Sequence, residues 1–131
     1  MSLSDEERHA IVQYRVEKAR KAIEDIHKVF PLEVWGIIAN RMYYALYYAA
    51  SALLIQDGHK VGTHKGVISL FNLYYIKTGL LTREDGALFG NIFAFRKGND
   101  YDDFIDASEN EINYYLPQVE ALVEKMIALI K

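Results

Sequence analysis

Arg96 is followed by Lys97, Gly98, Asn99, Asp100 and Tyr101. This is the densest run of chemistry-bearing residues in the chain. A guanidinium grips phosphate oxygens with parallel hydrogen bonds and stabilises charge developing on them. Asn99, Asp100 and Tyr101 add polar atoms beside it. A phenol ionises near pH 10 or so, which makes it a poor base at neutrality unless strongly perturbed. No histidine follows Arg96 anywhere in the chain. Arg96, Asn99, Asp100 and Tyr101 together form the first candidate site, with Asn99 and Asp100 as binding candidates. The structural alternative is that Arg96 caps a helix end and pairs with Asp100 or Asp102.

Asn40, Arg41 and Tyr44 form a second polar group, set in the long apolar stretch from Ile37 to Ile55. Polar groups on a buried helix must find partners. These could face a cleft and bind a nucleotide or RNA, or close a structural network with the last helix. A third group is cationic. From Gly58 to Arg83 there is no acid, but there are Lys60, His64, Lys65, Lys77 and Arg83. Clustered cations attract phosphate, and His64 and Lys65 are the binding candidates among them. Solvated helix ends explain such a cluster equally well, and a charged His64 at a helix N-terminus would be disfavoured.

From Asp100 to Glu111 the chain carries six acids and no base. Such acids more often cap helices and meet solvent than hold Mg²⁺. The four histidines show no metal-ligand spacing, and there is neither a glycine-rich phosphate loop nor a nucleophile elbow. No metal and no cofactor are expected.

These groups need a scaffold, and the rest of the sequence supplies one. The 131 residues fit one domain, 1–131, large enough for its own core. With 51% hydrophobic and 25% charged residues the composition is that of a folded globular chain. A net charge of −3 gives no global nucleic-acid signature. The absence of cysteine excludes disulfide and thiolate-metal frameworks and fits a cytoplasmic setting. The start of the chain carries Asp5, Glu6 and Glu7, where a secretory signal would need positive charge followed by an apolar run. The 37–55 stretch contains Asn40, Arg41 and four tyrosines, so it reads as a central buried helix and not a membrane span.

Five helices are predicted, packed as an all-α, up-and-down bundle. The first starts at a Ser4–Glu7 capping box and ends at Phe30-Pro31. The second runs from about Leu32 to Gln56 and stops at Gly58. The third is capped by Thr63 and stops near Gly79; the fourth starts at Thr82 and is broken by Gly98 and Asn99. The fifth starts between Asp102 and Ser108 and is either kinked or split at Pro117. Tyr43, Tyr47, Phe89 and Phe93 offer more apolar surface than one small bundle readily buries, so a homodimer is expected.

Three spaced motifs carry a resemblance. Asn40-Arg41-Met42-Tyr43-Tyr44-Ala45 with Ala49-Ala50 and Ala52-Leu53-Leu54 is similar to the second helix of small bacterial and archaeal HEPN proteins. Thr63-His64-Lys65-Gly66-Val67-Ile68 with Lys77-Thr78-Gly79 resembles their third-helix region, and Arg96 with Asp100-Tyr101 resembles the turn before their last helix. The resemblance implies an HEPN-like helical bundle that dimerises around a cleft. In the family's ribonucleases an arginine and a histidine four to six residues later cleave RNA without metal. Many members pair with a minimal nucleotidyltransferase as a toxin–antitoxin system. The resemblance thus makes Arg96 and Tyr101 the catalytic candidates, with Tyr101 standing where that histidine would be, and Asp103 stands where some partners modify a tyrosine. RNA or nucleotide binding is the implied role, with active cleavage or a plain helical interaction module as the alternatives.

Overall fold

The computed structural model describes residues 3–101 and 107–131, with side chains described up to residue 98 and again from 107. Among them are five α-helices and no strand. They are α1 (Asp5–Val29), α2 (Trp35–Gln56), α3 (His64–Phe71), α4 (Arg83–Tyr101) and α5 (Glu109–Ala128). The all-α bundle read from the sequence is the observed architecture.

The Ser4 hydroxyl accepts the Glu7 amide at 3.1 Å while the Glu7 carboxylate accepts the Ser4 amide at 2.9 Å, so α1 starts on a reciprocal cap. Val12, Val16, Ala19, Ala22 and Ile26 recur every three or four residues and form its buried stripe. Helix α2 begins later than predicted. Pro31 opens a short 3-10 turn over Phe30–Leu32, and α2 starts only at Trp35. Glu33 is left-handed (φ 57°, ψ 32°), which lets the chain reverse within a few residues and lay α2 back along α1.

Helix α2 is the centre of the molecule and packs against α1, α3, α4 and α5. Every residue from Ala49 to Ile55 is buried, which accounts for the long apolar run. Ser51 is the polar member of that run. It accepts from Arg15 Nη1 at 3.0 Å and donates to the Tyr48 carbonyl at 3.1 Å, so its burial is compensated. Gly58 ends the helix with φ +89°, a conformation that carries little steric cost only for glycine.

Helix α3 is capped by Thr63, whose hydroxyl accepts the Gly66 amide at 2.9 Å. The chain then widens into a π turn over Asn72–Ile76. Buried Tyr75 in that turn donates its hydroxyl to Asp57 Oδ2 at 2.6 Å. Thr82 and Asp85 exchange side-chain and amide hydrogen bonds of 3.0 and 3.1 Å at the start of α4. Helix α4 passes through Gly98 and Asn99 to Tyr101, correcting the predicted break. A glycine inside a helix costs only about 1 kcal/mol relative to alanine and need not end it. Helix α5 opens on a Ser108–Glu111 capping box and is continuous through Pro117, so the helix is not split there.

Ion pairs join the helix ends: Arg20 with Glu124 at 3.2 Å, His27 with Glu120, and Lys125 with Asp85. Their side chains are largely exposed, Asp85 excepted, and exposed pairs contribute roughly 0–1 kcal/mol each. Burial around α2 therefore holds the bundle together. Tyr43 and Phe89 are 0% exposed within the single chain. They are core residues, so they do not supply the surplus apolar surface from which a dimer was expected. Among the described residues no helix is long and apolar enough to cross a membrane.

Candidate functional site

Helix α4 turns Phe89 and Ile92 inward, both fully buried. Arg96 follows Phe89 by seven residues and Ile92 by four, which places it on the same stripe one turn further along. The stem of Arg96 is thus directed toward α2, where the sequence has concentrated its tyrosines. The guanidinium carbon lies 5.2 Å from the centre of the Tyr43 ring and 5.6 Å from that of Tyr44. A cation in this position is attracted by the ring faces and held flat against them.

Helix α2 contributes the wall. Asn40, Tyr43, Tyr44 and Tyr47 share a face by their three- and four-residue spacing. Tyr44 meets Tyr43 at 5.2 Å, Tyr47 at 6.0 Å and Tyr48 at 5.8 Å between ring centres. Arg41 lies over the Tyr44 ring at 5.0 Å and donates from Nη2 to Asn40 Oδ1 at 2.9 Å. Within this group Tyr44 is the member that meets α4 and α3, through Arg96 and His64.

Helix α3 contributes the third side. Its first residue, His64, is half-buried. The ring sits 4.6 Å from Tyr47, 5.5 Å from Tyr43 and 5.8 Å from Tyr44. His64 Nδ1 is 2.6 Å from the Tyr43 hydroxyl. Burial pushes the His64 imidazole below its ordinary pKa, and the nearby Arg96 charge adds to the shift. Burial pushes the Tyr43 hydroxyl well above the usual phenol range, with Arg96 opposing only in part. At neutral pH, then, Tyr43 keeps its proton and His64 is neutral. The unfavourable placement of a charged imidazole at a helix N-terminus works in the same direction.

The tertiary structure thus joins Arg96, Asn40, Arg41, Tyr44 and His64, which the sequence offered as three separate groups. Lys65 is next along α3 and exposed. Lys60 belongs to a different hollow, lined also by Arg8, His59 and Val61. The side chains of Asn99, Asp100 and Tyr101 lie outside the described residues. Tyr43 and Tyr47 were read as core and interface, and their part in the site was missed. The available signal was a tyrosine where a phenylalanine would fill a buried position: a buried hydroxyl requires a partner. Among the described residues no group of three histidine, aspartate or glutamate side chains could hold a metal ion.

The HEPN domain family matches residues 12–129. The chain belongs to the HEPN family. It is 30% identical to a UPF0332 protein of Thermotoga maritima over 125 residues, covering 95% of each chain. It is 28% identical over 110 residues to a Methanocaldococcus jannaschii protein named "Putative toxin", covering 84% of this chain and 75% of that one. A UPF0332 protein of Archaeoglobus fulgidus is 28% identical over 114 residues, covering 87% and 90%. In this HEPN domain the two cations, the imidazole and the tyrosine wall offer charge for phosphate and ring faces for stacking.

Proposed function

We propose that this HEPN domain binds RNA or a nucleotide where Arg96, Arg41, Tyr44 and His64 meet. The observation that carries the reading is the packing of Arg96 against Tyr43 and Tyr44, whose rings also contact His64. A guanidinium fixed against aromatic rings has already lost much of its freedom and so loses less on gripping a phosphate. The protein works in the cytoplasm as a homodimer whose two copies of this face meet in one cleft, and Asn99, Asp100 and Lys65 are further candidates for contact with the ligand. It forms one half of a toxin–antitoxin pair with a minimal nucleotidyltransferase. The toxin name of a relative supports that role.

A second reading is metal-independent RNA cleavage by Arg96. One observation favours it: an imidazole, missing after Arg96 in the sequence, reaches the site from α3. Gel-shift titrations with generic RNA, calorimetric titration with nucleotides and a cleavage assay in chelator separate the readings. Binding without cleavage is the expected result. Absence of binding to both ligand types would leave a helical interaction module.

A further inference from the structure

The hydrogen bond between Tyr43 and His64 decides more than the position of the imidazole. Tyr43 is fully buried, and among the described residues His64 Nδ1 is the hydrogen-bond partner of its hydroxyl. A buried hydroxyl proton without an acceptor is costly, so the hydroxyl donates and Nδ1 accepts. A neutral imidazole with an accepting Nδ1 carries its proton on Nε2. Nε2 is on the far edge of the ring from Tyr43. The ring is half-buried and Tyr43 engages Nδ1, which leaves Nε2 as the ring nitrogen for a ligand.

We propose that His64 is a hydrogen-bond donor for a phosphoryl oxygen, presenting Nε2–H beside Arg96, with Tyr43 as the positioning residue that fixes this tautomer. The proposal rests on the reading above that the Arg96 face binds RNA or a nucleotide, and it assigns His64 a role opposite to that of a catalytic base. For Nε2 to accept a proton, Nδ1–H would have to turn to the Tyr43 oxygen. The Tyr43 proton would then be left facing the core, next to a new positive charge beside Arg96. Geometry and charge both oppose that state, whereas a phosphate oxygen accepting from Nε2–H needs no rearrangement. Tyr44 and Tyr47, both half-buried and both against His64, complete the wall beside the donor.

Two measurements test the donor. The first needs no ligand: long-range ¹H–¹⁵N correlation spectra of the imidazole nitrogens at neutral pH. Nε2 protonated and Nδ1 bare in the wild type is expected, with Tyr43→Phe shifting the ring toward a mixture of tautomers. A wild type protonated on Nδ1 overturns the proposal. The second is binding of inorganic phosphate, a 5′-nucleoside monophosphate, and a short RNA with and without a 5′-phosphate. His64→Gln keeps an N–H near the Nε2 position and is expected to bind within a few-fold of wild type. His64→Leu is expected to lose about ten- to a hundredfold, the share of one hydrogen bond to a charged group. Preference for the monophosphate and the 5′-phosphorylated RNA would identify a terminal phosphate as the source; equal binding of both RNAs would identify the internal backbone.

Equal binding by the Leu and Gln variants, with Arg96→Ala still weakened, overturns the His64 role and leaves the binding reading standing. No binding of any probe by the wild type overturns both. Cleavage of RNA that His64→Gln abolishes would make His64 a proton-transfer group and not a static donor, and would also overturn the proposal. Circular dichroism melts of each variant confirm that the folded protein is being compared.

Discussion

Arg41 and Arg96 place their guanidinium carbons 5.0 and 5.6 Å from the centre of the same ring, Tyr44. Two like charges converge on one side chain although α2 and α4 carry them separately. The ring faces lower the cost of that convergence, and an anion bound between the two cations would lower it further. This juxtaposition is what the proposed binding of an anion rests on, and substitution of Arg96 tests it.

Arg96→Ala should weaken binding of RNA or a nucleotide by roughly 1–3 kcal/mol, the range of a hydrogen bond to a charged group. Arg96 is only half-buried, over the rings of Tyr43 and Tyr44, so its loss should lower the melting temperature only slightly. Unchanged affinity, or a collapse in melting temperature, would make Arg96 a structural residue.

The protein should sediment as a dimer at micromolar concentration. The expectation rests on the shared cleft of the family and no longer on Tyr43 or Phe89, which the single chain buries. A monomer in equilibrium sedimentation would mean that each Arg96 face works alone.

Acidification should expose the burial of His64. Its folded pKa lies below the unfolded value of about 6.5 because burial, and then Arg96, disfavour the imidazolium. Below about pH 6.5 the unfolded chain therefore binds a proton that the folded one resists. The stabilisation from His64 is present above that value and is lost as pH falls through the folded pKa. In thermal melts from pH 7 to pH 5, wild type should lose more stability than His64→Gln. Parallel curves would contradict the burial argument.

Gly86→Ala should destabilise the fold by about 1–3 kcal/mol, the usual effect of overpacking. A Cβ at this position would stand 2.9 Å from Asn72 Oδ1 and 3.0 Å from Ile76 Cγ1. Helix α4 thus lies hard against the π turn. A drop in urea midpoint is expected. An unchanged midpoint would mean that the neighbouring side chains yield freely.

Wild-type protein should cleave generic RNA little or not at all in the presence of chelator. Tyr43 is held protonated by burial, and the tautomer proposed for His64 carries its proton on Nε2, so neither is placed to accept the 2′-hydroxyl proton. Fluorogenic RNA cleavage abolished by Arg96→Ala would reverse this conclusion.

The sequence was most legible where structure is decided locally. The capping box at Ser4 and the caps at Thr63 and Thr82 depend on residues three apart, and each starts a helix as read, whereas the Ser108–Glu111 box that starts α5 was not recognised within the predicted span from Asp102 to Ser108. The apolar run of α2 required burial on nearly all sides, and it is buried against four helices. Signals that depend on competition were read less well. Pro31 opened a 3-10 turn before α2, and Gly98 sits within α4 because its conformational cost is small against a continuing helix.

The residue types that could meet a phosphate were visible in Asn40, Arg41, Tyr44, His64 and Arg96, but their union was not. They come from three helices, and the distances that join them are set by how α3 and α4 lie across α2. That packing brings an imidazole from α3 to an arginine on α4, where sequence order alone offered only Tyr101. It also turns Tyr43 from an apolar filler into the group that orients His64, because a hydroxyl sealed from water must bond to whatever the fold places within reach.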